Sequence, residues 1–458
     1  MNRFKILVVL TTLSLLSVAQ NRKQQLSQIK SFLNMEYPND APGAVVLAAV
    51  DGNIIFEKAY GLASINPKRK MKTDMVFQVA SITKQFVSAA ILKLVEEGKM
   101  HLKDTIQMYV PNYPVKKYPI TINHLLSQTS GIPEYFILEA DELHLLAKEH
   151  TPEELINYYK NYNLNFKPGS RFEYSNSNYP LLGAALEKVT GMTLKEYLDI
   201  HFFKPLEMNS TGLWYSKFLK KKRIPIGYDY NKDSIFPGPK IVGSAMYAAG
   251  GLVSTAKDLF KWNMDFKKKS KLSSFIVEEL TTTKTLDSGE KTNYGYGLYL
   301  DELKGSPTIQ HDGNLYGFTA SSLYLPKKDI YVCVLSNKKY DRTQEIANYI
   351  ASVLIDKPLE ILNKTEIKSE KLKEYSGTFK IVDAEFERTL VIKPYKDFLL
   401  LSDIKSPESD ALLTPAGLDK FLLKVASATF TFFRDKEGKV SGFKVQQSEE
   451  EYEFEKVK

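Results

Sequence analysis

Apolar and polar residues follow patterns that change from one region of the chain to the next. Residues 44 to 61 form two strand-like apolar runs around Asp51-Gly52, a dipeptide typical of a tight hairpin turn. From Phe86 to Gly98 apolar side chains recur every three or four residues, the spacing of a helix with one buried face. Helical patterns and loops then prevail between residues 100 and 265. Residues 44 to 98 are therefore predicted to form a hairpin backed by a helix, and a helical region follows them.

Strand-like runs return after this helical region. They cover residues 294–299, 307–311, 320–325 and 330–335, and a helical pattern over residues 343–354 follows them. Together with the early hairpin, they predict an α/β (α+β) domain over residues 20–360, in which an antiparallel sheet is flanked by helices and carries a helical subdomain.

The pattern changes again beyond Pro358. Short alternating runs cover residues 389–392, 398–401, 429–434, 440–445 and 452–457, with turns between them. Residues 366–458 are therefore predicted to form a separate, small all-β barrel domain.

The first nineteen residues have the features of a secretory signal peptide. Arg3 and Lys5 precede a short apolar run, and Ala19 offers a cleavage site. The apolar run from Ile6 to Leu16 is short for an uncleaved membrane anchor, and no later stretch is long and apolar enough to span a bilayer. We therefore predict an exported protein, periplasmic or extracellular, with no stable membrane span after signal cleavage.

Composition argues against several classes of function. The net charge of +8 is modest and the lysine runs lie amid mixed charge, so no nucleic-acid partner is predicted. The six histidines show no paired spacing, and a single cysteine, Cys333, can form neither a thiolate cluster nor an internal disulfide. We therefore expect no metal and no cofactor, and we interpret Cys333 as a buried core residue.

A hydroxyl and an amine stand three residues apart where the predicted helix begins. Ser81 and Lys84 would project from neighbouring turns on one face, close enough for the amine to reach the hydroxyl. A serine nucleophile needs such a base beside it and a stabilised anion after attack. Ser-x-x-Lys also occurs elsewhere in the chain, where it is most simply a solvated pair, but only the copy at Ser81 opens a long apolar helix.

Two further motifs could complete such a site. Tyr174 and Asn176 form a Tyr-x-Asn triplet before a predicted helix over residues 181–189, and they could move a proton and hold a substrate carbonyl. A tyrosine would act as a base only if cations such as Lys84 lowered its pKa. His311 begins the run His-Asp-Gly-Asn at a predicted strand edge, where glycine lets a substrate approach the backbone.

In chain order, the segments SITK, YSN and HDG resemble the three motifs of the β-lactamase-related, penicillin-binding-protein-like serine hydrolases. This family includes class C β-lactamases, D-Ala-D-Ala carboxypeptidases, D-aminopeptidases and esterases. Further segments also resemble segments of this family and occur in the same order: INHLLSQTSGIPEY, YPLLGAALEKVTG, AAGGLVSTAKDLFKW, YGYGL and the HDGN strand. The resemblance spans about residues 25 to 355 and implies a β-lactamase/transpeptidase-like fold. The predicted barrel resembles the lipocalin-like domains appended to some of these hydrolases.

The resemblance implies a chemical role for several motif residues. Ser81 would be the acylated nucleophile, with Lys84 beside it to take or stabilise its proton. Tyr174 would shuttle protons to the leaving group and activate the deacylating water. The backbone N–H groups of Ser81 and Asn314 would form the oxyanion hole.

The remaining motif residues would bind substrate. By resemblance Asn176 would bind the substrate amide, and His311 would either face a substrate carboxylate or position Tyr174. Many relatives have Thr in the middle of the third motif, where its hydroxyl helps to hold the carboxylate of a β-lactam or a terminal D-Ala, and here the residue is Asp312. An ionised Asp312 would oppose that carboxylate by about 1 to 4 kcal/mol, so we expect weak or absent β-lactamase activity.

The leading hypothesis is an exported serine hydrolase that forms an acyl-serine intermediate on a small peptide, amide or ester, which could derive from the cell wall. The alternative is a catalytically silent sensor or cell-wall-binding protein of the same fold, and the intact Ser, Lys, Tyr and Asn argue against it. A ligand-binding protein centred on the barrel would leave the first 355 residues unexplained. The sequence leaves the oligomeric state open.

Overall fold

The computed structural model describes most of the chain as two compact units. The described residues are 20–138, 142–213, 224–230, 234–339, 341–359, 367, 369–382, 387–395, 398–404, 406–423, 428–447 and 450–457. The first unit consists of residues up to 229, 236–339 and 346–358, and the second of residues 230–235, 340–345 and 359–458.

The first unit is built on a six-stranded antiparallel sheet. Up to residue 339 the strands are β1 (Ala44–Val50), β2 (Asn53–Tyr60), β3 (Leu62–Ser64), β4 (Arg69–Lys70), β5 (Phe77–Gln78), β6 (Gly212–Leu213), β7 (Tyr228–Tyr230), β8 (Ile235–Pro237), β9 (Leu252–Ser254), β10 (Tyr299–Leu303), β11 (Ser306–Leu315), β12 (Phe318–Leu325) and β13 (Ile330–Ser336). The large sheet has the order β10-β11-β12-β13-β1-β2. The predicted hairpin is its β1–β2 pair, and Asp51 and Gly52 both take the positive φ that such a turn requires.

Helices cover this sheet and form the helical region between its early and late strands. They are α1 (20–36), α2 (Thr83–Glu96), α3 (Ile122–Leu126), α4 (Glu142–Leu146), α5 (Pro152–Tyr159), α6 (Asn178–Thr190), α7 (Leu194–Leu198), α8 (Gly243–Gly250), α9 (Ala256–Lys268), α10 (Ser274–Leu280) and α11 (Thr343–Leu354). The predicted mixed fold of an antiparallel sheet with helices is confirmed, and α11 has the predicted bounds.

The helix that follows Ser81 is more deeply buried than its sequence indicates. The apolar spacing predicts one buried face, whereas every residue of α2 from Thr83 to Leu92 is buried. The reason is that α2 packs against α6, α8 and α10 as well as contributing to the main core. The polar groups of this helix must therefore find partners inside the protein.

The prediction of a strand over residues 294–299 is wrong. These residues form an irregular loop, and the strand β10 begins only at Tyr299. Gly297 has a φ of +76°, which ends an extended segment, and a Cβ on it would lie 2.8 Å from the carbonyl oxygen of Lys84. The loop thus takes its shape from its close approach to α2, a contact between residues distant in sequence.

The second unit contains a closed eight-stranded antiparallel barrel, as predicted. Its strands are β14 (Gly377–Ile381), β15 (Thr389–Tyr395), β16 (Phe398–Asp403), β17 (Ser406–Gly417), β18 (Lys420–Leu423), β19 (Ala428–Arg434), β20 (Val440–Gln447) and β21 (Glu450–Lys456). The ring of Phe443 lies 4.9 Å from that of Phe379, 5.2 Å from those of Phe430 and Phe432, and 4.9 Å from that of Phe454, measured between centroids. Side chains thus fill the centre of the barrel, as the width of eight strands allows.

Among the described residues, no helix combines the length and the apolar character needed to cross a membrane. The predicted signal peptide falls on residues 1–19, which lie outside the described residues.

Replacing the central aromatic residue of the barrel tests whether its interior is a packed core. We expect Phe443→Ala to lower the free energy of unfolding by about 3 to 5 kcal/mol, because Phe443 is fully buried among other rings. Urea unfolding of the full-length protein, followed by circular dichroism, measures the change. Leu418→Ala is the control, since Leu418 is 73% exposed. A Phe443→Ala variant as stable as the control would show that the centre has room for a ligand.

Candidate active site

Ser81 lies on a strained turn at the entrance to α2. It is the middle residue of a short 3₁₀ turn, Ala80–Ile82, and Ala80 has a φ of +44°. Such a conformation costs a non-glycine residue about 1 to 3 kcal/mol and persists only where the surroundings impose it. Here the backbone N–H of Val79 donates to the carbonyl of Leu252 at 3.1 Å, and the N–H of Leu252 donates to the hydroxyl of Thr83 at 3.1 Å. Strand β9 therefore fixes the turn from both sides.

The amine of Lys84 is buried and points at Ser81. Lys84 has no exposed surface, and its Nζ donates to Ser81 Oγ at 3.0 Å, to Asn176 Oδ1 at 2.7 Å and to the carbonyl of Ala249 at 2.7 Å. Burial disfavours the ammonium form and lowers the pKa of Lys84 from 10.5 to about 7. A neutral amine, able to accept the proton of Ser81, is therefore well populated near neutral pH.

Tyr174 lies beside both residues, but its pKa is not lowered. Its ring centroid is 5.0 Å from Lys84 Nζ. Burial raises the pKa of Tyr174 well above its usual value, and a hydrogen bond with Ser81 only partly opposes that rise. The condition under which Tyr174 would act as a base, a pKa lowered by a cation such as Lys84, is therefore not met, because desolvation of the phenolate is the largest effect. Tyr174 is thus a neutral phenol at the site, suited to pass on a proton that it receives from elsewhere.

Asn176 connects Lys84 to a carboxylate that the motifs did not single out. Its Oδ1 accepts from Lys84, while its Nδ2 donates to Glu134 Oε2 at 3.0 Å and its backbone N–H donates to the same oxygen at 2.6 Å. The second hydrogen of Nδ2 is not used by these contacts, and it could be donated to a substrate carbonyl.

His311 is a neutral, buried imidazole that packs behind Tyr174. Its Nδ1 faces the carbonyl oxygen of Asp312 at 2.7 Å and must therefore carry the proton, and its Nε2 accepts from the Tyr294 hydroxyl at 3.3 Å. Burial and then the charge of Lys84 lower the pKa of His311 to about 3. Its ring centroid lies 6.2 Å from that of Tyr174. Of its two predicted roles, positioning Tyr174 fits this geometry, and attraction of a carboxylate by a cationic imidazole does not.

Asp312 does not face the same side of the sheet as His311. Successive side chains of a strand alternate between faces, and Asp312 lies directly across from the fully buried Ser321 on β12. Burial raises the pKa of Asp312 from 3.8 to about 7. The expectation that an ionised Asp312 directly opposes a substrate carboxylate is therefore wrong in the direction of the side chain, and near neutral pH the carboxyl is only partly ionised.

Strand β11 runs alongside the turn that carries Ser81. Among the described pairings, β10 reaches along β11 only as far as Gln310, so the edge from His311 to Leu315 is left open. A Cβ on Gly313 would lie 2.1 Å from the carbonyl oxygen of Val79. Glycine thus lets the strand reach the turn, and Asn314, whose side chain is exposed, follows immediately. The role of the Asn314 backbone N–H as an oxyanion donor stays a prediction.

Sequence reasoning missed several contributors to the site. Glu134, the carbonyl of Ala249, the hydroxyl of Tyr294 and Gly297 all belong to segments quoted above. The signal was therefore present, but nothing in those segments says which of their residues reach Lys84 or His311. Among the described residues, no group of three or more His, Cys, Asp or Glu side chains is arranged to hold a metal ion.

Comparison with known proteins assigns this arrangement to a family. Residues 34–355 match the Beta-lactamase family over about two thirds of the chain. The chain belongs to that family. The match covers the residues brought together above, from Ser81 and Lys84 through Tyr174 and Asn176 to His311.

Individual relatives in this family are distant in sequence. Penicillin-binding protein 4* of Bacillus subtilis (strain 168) is 27% identical over 374 residues, which are 77% of this chain and 80% of that protein. The octameric penicillin-binding protein homologue from Pyrococcus abyssi is 25% identical with a TM-score of 0.67, and the match covers 93% of this chain and 99% of that one. D-amino acid amidase from Ochrobactrum anthropi SV3 shares the fold at 21% identity and a TM-score of 0.63, over 73% of this chain and 99% of that one.

The protonation state of Lys84 should control the reactivity of Ser81. Because the pKa of Lys84 is about 7, we expect the rate at which a fluorophosphonate labels Ser81 to rise with pH through about 7 and then level off. Lys84→Ala should lower the plateau rate by about 100- to 10,000-fold. Lys93→Ala is the control, since Lys93 lies on the same helix and pairs with Glu97 at the surface. A wild-type rate that does not change across the neutral range would contradict this role of Lys84.

Proposed function

We propose that this protein is an exported serine hydrolase that acts on a peptide, amide or ester through an acyl-serine intermediate. One observation carries the proposal: the hydroxyl of Ser81 lies 3.0 Å from a fully buried amine, Lys84 Nζ, whose pKa is about 7. A nucleophile beside a base that is neutral at working pH is what acyl transfer requires. Export, to the periplasm or the exterior, rests on the predicted signal peptide of residues 1–19.

Acylation follows from the positions of three groups. Neutral Lys84 accepts the proton of Ser81 as Oγ attacks the substrate carbonyl and the C–O bond forms. The backbone N–H groups of Ser81 and Asn314 donate to the oxyanion, and loss of one such donor typically costs about 3 to 4 kcal/mol. The proton then passes by way of the phenol of Tyr174 to the leaving group as the scissile bond breaks.

Deacylation uses the same groups in reverse order. The leaving group departs and a water takes its place near Tyr174. The water gives up a proton through the phenol of Tyr174 to Lys84 as it attacks the acyl carbon. Lys84 then returns this proton to Ser81 Oγ as the bond between Oγ and the acyl carbon breaks, which releases the acid product and restores the Ser81 hydroxyl. Tyr174 acts throughout as a relay that both gives and receives a proton, in agreement with its raised pKa.

The basic groups described at the site favour a substrate without a carboxylate there. The Lys84 amine is fully buried and already contacts three oxygen partners, and His311 is neutral with both nitrogens engaged. Neither is therefore available to pair with the carboxylate of a β-lactam or a terminal D-Ala. The relatives include penicillin-binding proteins and a D-amino acid amidase, whose names support peptide or amide substrates. We propose that β-lactams are hydrolysed slowly or not at all.

A panel of substrates tests the proposed function. Purified wild type should react with a fluorophosphonate and should turn over p-nitrophenyl esters and amino acid p-nitroanilides, whereas Ser81→Ala should do neither. Nitrocefin hydrolysis should be slow, and efficient turnover of it would contradict the substrate preference. Stable labelling by a fluorescent penicillin without turnover of any ester or amide would instead indicate the silent sensor.

Removing the phenol of Tyr174 should affect amides more than activated esters. Tyr174→Phe keeps the ring against Lys84 but removes the proton relay, which an amine leaving group needs and p-nitrophenolate does not. We therefore expect kcat for a p-nitroanilide to fall by about 100- to 10,000-fold and acylation by a p-nitrophenyl ester to fall much less. Tyr296→Phe serves as the control, because the Tyr296 hydroxyl donates to Asn123 rather than to the site residues. Equal losses on both substrates would show that Tyr174 does not serve the leaving group.

A further inference from the structure

A carboxylate lies behind Asn176, just outside the motif residues. Glu134 accepts three hydrogen bonds on its two oxygens: the backbone N–H of Phe136 donates to Oε1 at 3.1 Å, and the backbone and side-chain N–H groups of Asn176 donate to Oε2 at 2.6 and 3.0 Å. Every partner is a donor, which is the environment of an ionised carboxylate.

We propose that Glu134 is a positioning residue that fixes the orientation of the Asn176 amide and keeps a negative charge close to Lys84. The inference rests on the proposed function, because it assigns a role within that site. It adds a sixth side chain to the five that the motifs supply, which are Ser81, Lys84, Tyr174, Asn176 and His311.

The orientation of the Asn176 amide depends on its two charged neighbours. Its oxygen faces the amine of Lys84 and its nitrogen faces the carboxylate of Glu134. A flipped amide would place an NH₂ group against the ammonium and an oxygen against the carboxylate, and both contacts would be repulsive. With Glu134 in place, the second hydrogen of Nδ2 is held in one direction and remains available for a substrate carbonyl. Without Glu134, only the contact with Lys84 would select the orientation.

The charge of Glu134 also opposes the effect of burial on Lys84. Burial lowers the pKa of Lys84, and the nearby carboxylate of Glu134 raises it again. Reciprocally, burial raises the pKa of Glu134 while its N–H donors and Lys84 lower it. The two groups thus form a pair linked through Asn176, in which the carboxylate keeps the pKa of the amine close to neutral.

The other titratable groups around this pair are uncharged near neutral pH. Tyr174, Tyr179 and His311 face Lys84, and Tyr159 lies within the field of Glu134. Burial raises the pKa of each phenol and lowers that of the imidazole. The charge that responds to replacement of Glu134 is therefore that of Lys84.

Two substitutions separate the charge of Glu134 from its geometry. In Glu134→Gln the negative charge is gone, so the pKa of Lys84 should fall and the rise of Ser81 labelling by a fluorophosphonate should move to lower pH. Glu134→Asp keeps the charge on a shorter side chain, so the rise should remain near its wild-type pH. In Glu134→Asp the plateau rate of p-nitroanilide hydrolysis should fall by about 10- to 100-fold, because the shorter carboxylate no longer holds the Asn176 amide. In Glu134→Gln the plateau should fall less, because the amide oxygen of glutamine can still accept from Asn176.

The matched control is Glu154→Gln. Glu154 is an exposed carboxylate that closes the N-terminal capping box of α5, where glutamine can take its place. In this variant the pH at which Ser81 labelling rises and the plateau rate of p-nitroanilide hydrolysis should both be unchanged.

The outcomes separate this inference from the proposed function. A wild type that does not react with the fluorophosphonate overturns the proposed function and this inference with it. If the wild type reacts, and the labelling rate of a folded Glu134→Gln variant rises at the same pH as that of the wild type, the inference alone is overturned. If Glu134→Gln does not fold, a Glu134→Asp variant with the wild-type plateau overturns it.

Discussion

The burial of the Lys84 amine is the constraint on which the rest of the site depends. An ammonium ion is costly to bury, and the shift of its pKa from 10.5 to about 7 corresponds to roughly 5 kcal/mol against the charged form. The protein offsets part of this cost with three oxygen acceptors, Ser81 Oγ, Asn176 Oδ1 and the carbonyl of Ala249. Each acceptor comes from a different part of the chain. The turn before α2, the segment before α6 and the end of α8 must therefore all be in place before the amine is satisfied.

The site also depends on two places where backbone segments approach each other closely. Gly313 brings β11 against Val79, and Gly297 brings the loop before β10 against the carbonyl of Lys84, in both cases at distances that a Cβ would prevent. The positive φ of Ala80 is the strain that accompanies this packing. The nucleophile is thus held between a strand edge and a helix start. That arrangement leaves its hydroxyl 3.0 Å from the amine of Lys84.

The polar groups near Ser81 divide into neutral ones and ones that can carry a charge near neutral pH. Tyr174 and His311 are both neutral because burial moves their pKa values in opposite directions, up for the phenol and down for the imidazole. Lys84 and Glu134 therefore carry the charges that matter near neutral pH, and Asn176 lies between them with each end facing the complementary partner. Such an arrangement suits proton transfer, since the pKa of Lys84 is close to neutral pH and neither Tyr174 nor His311 competes for the proton there.

The sequence by itself determined the elements and the chemistry of single residues. The β1–β2 hairpin, α11, the barrel and the pairing of Ser81 with Lys84 follow from apolar spacing, turn residues and the short distance between residues three apart, all of which are local properties. Only the tertiary structure decided the charge states and the direction of the side chains. The low pKa of His311, the raised pKa values of Tyr174 and Asp312, and the contact of Glu134 with Asn176 all arise from burial among residues far apart in the chain. Local spacing carries no measure of that burial, which is why the loop at Gly297 and the raised pKa of Asp312 could not be read from the sequence.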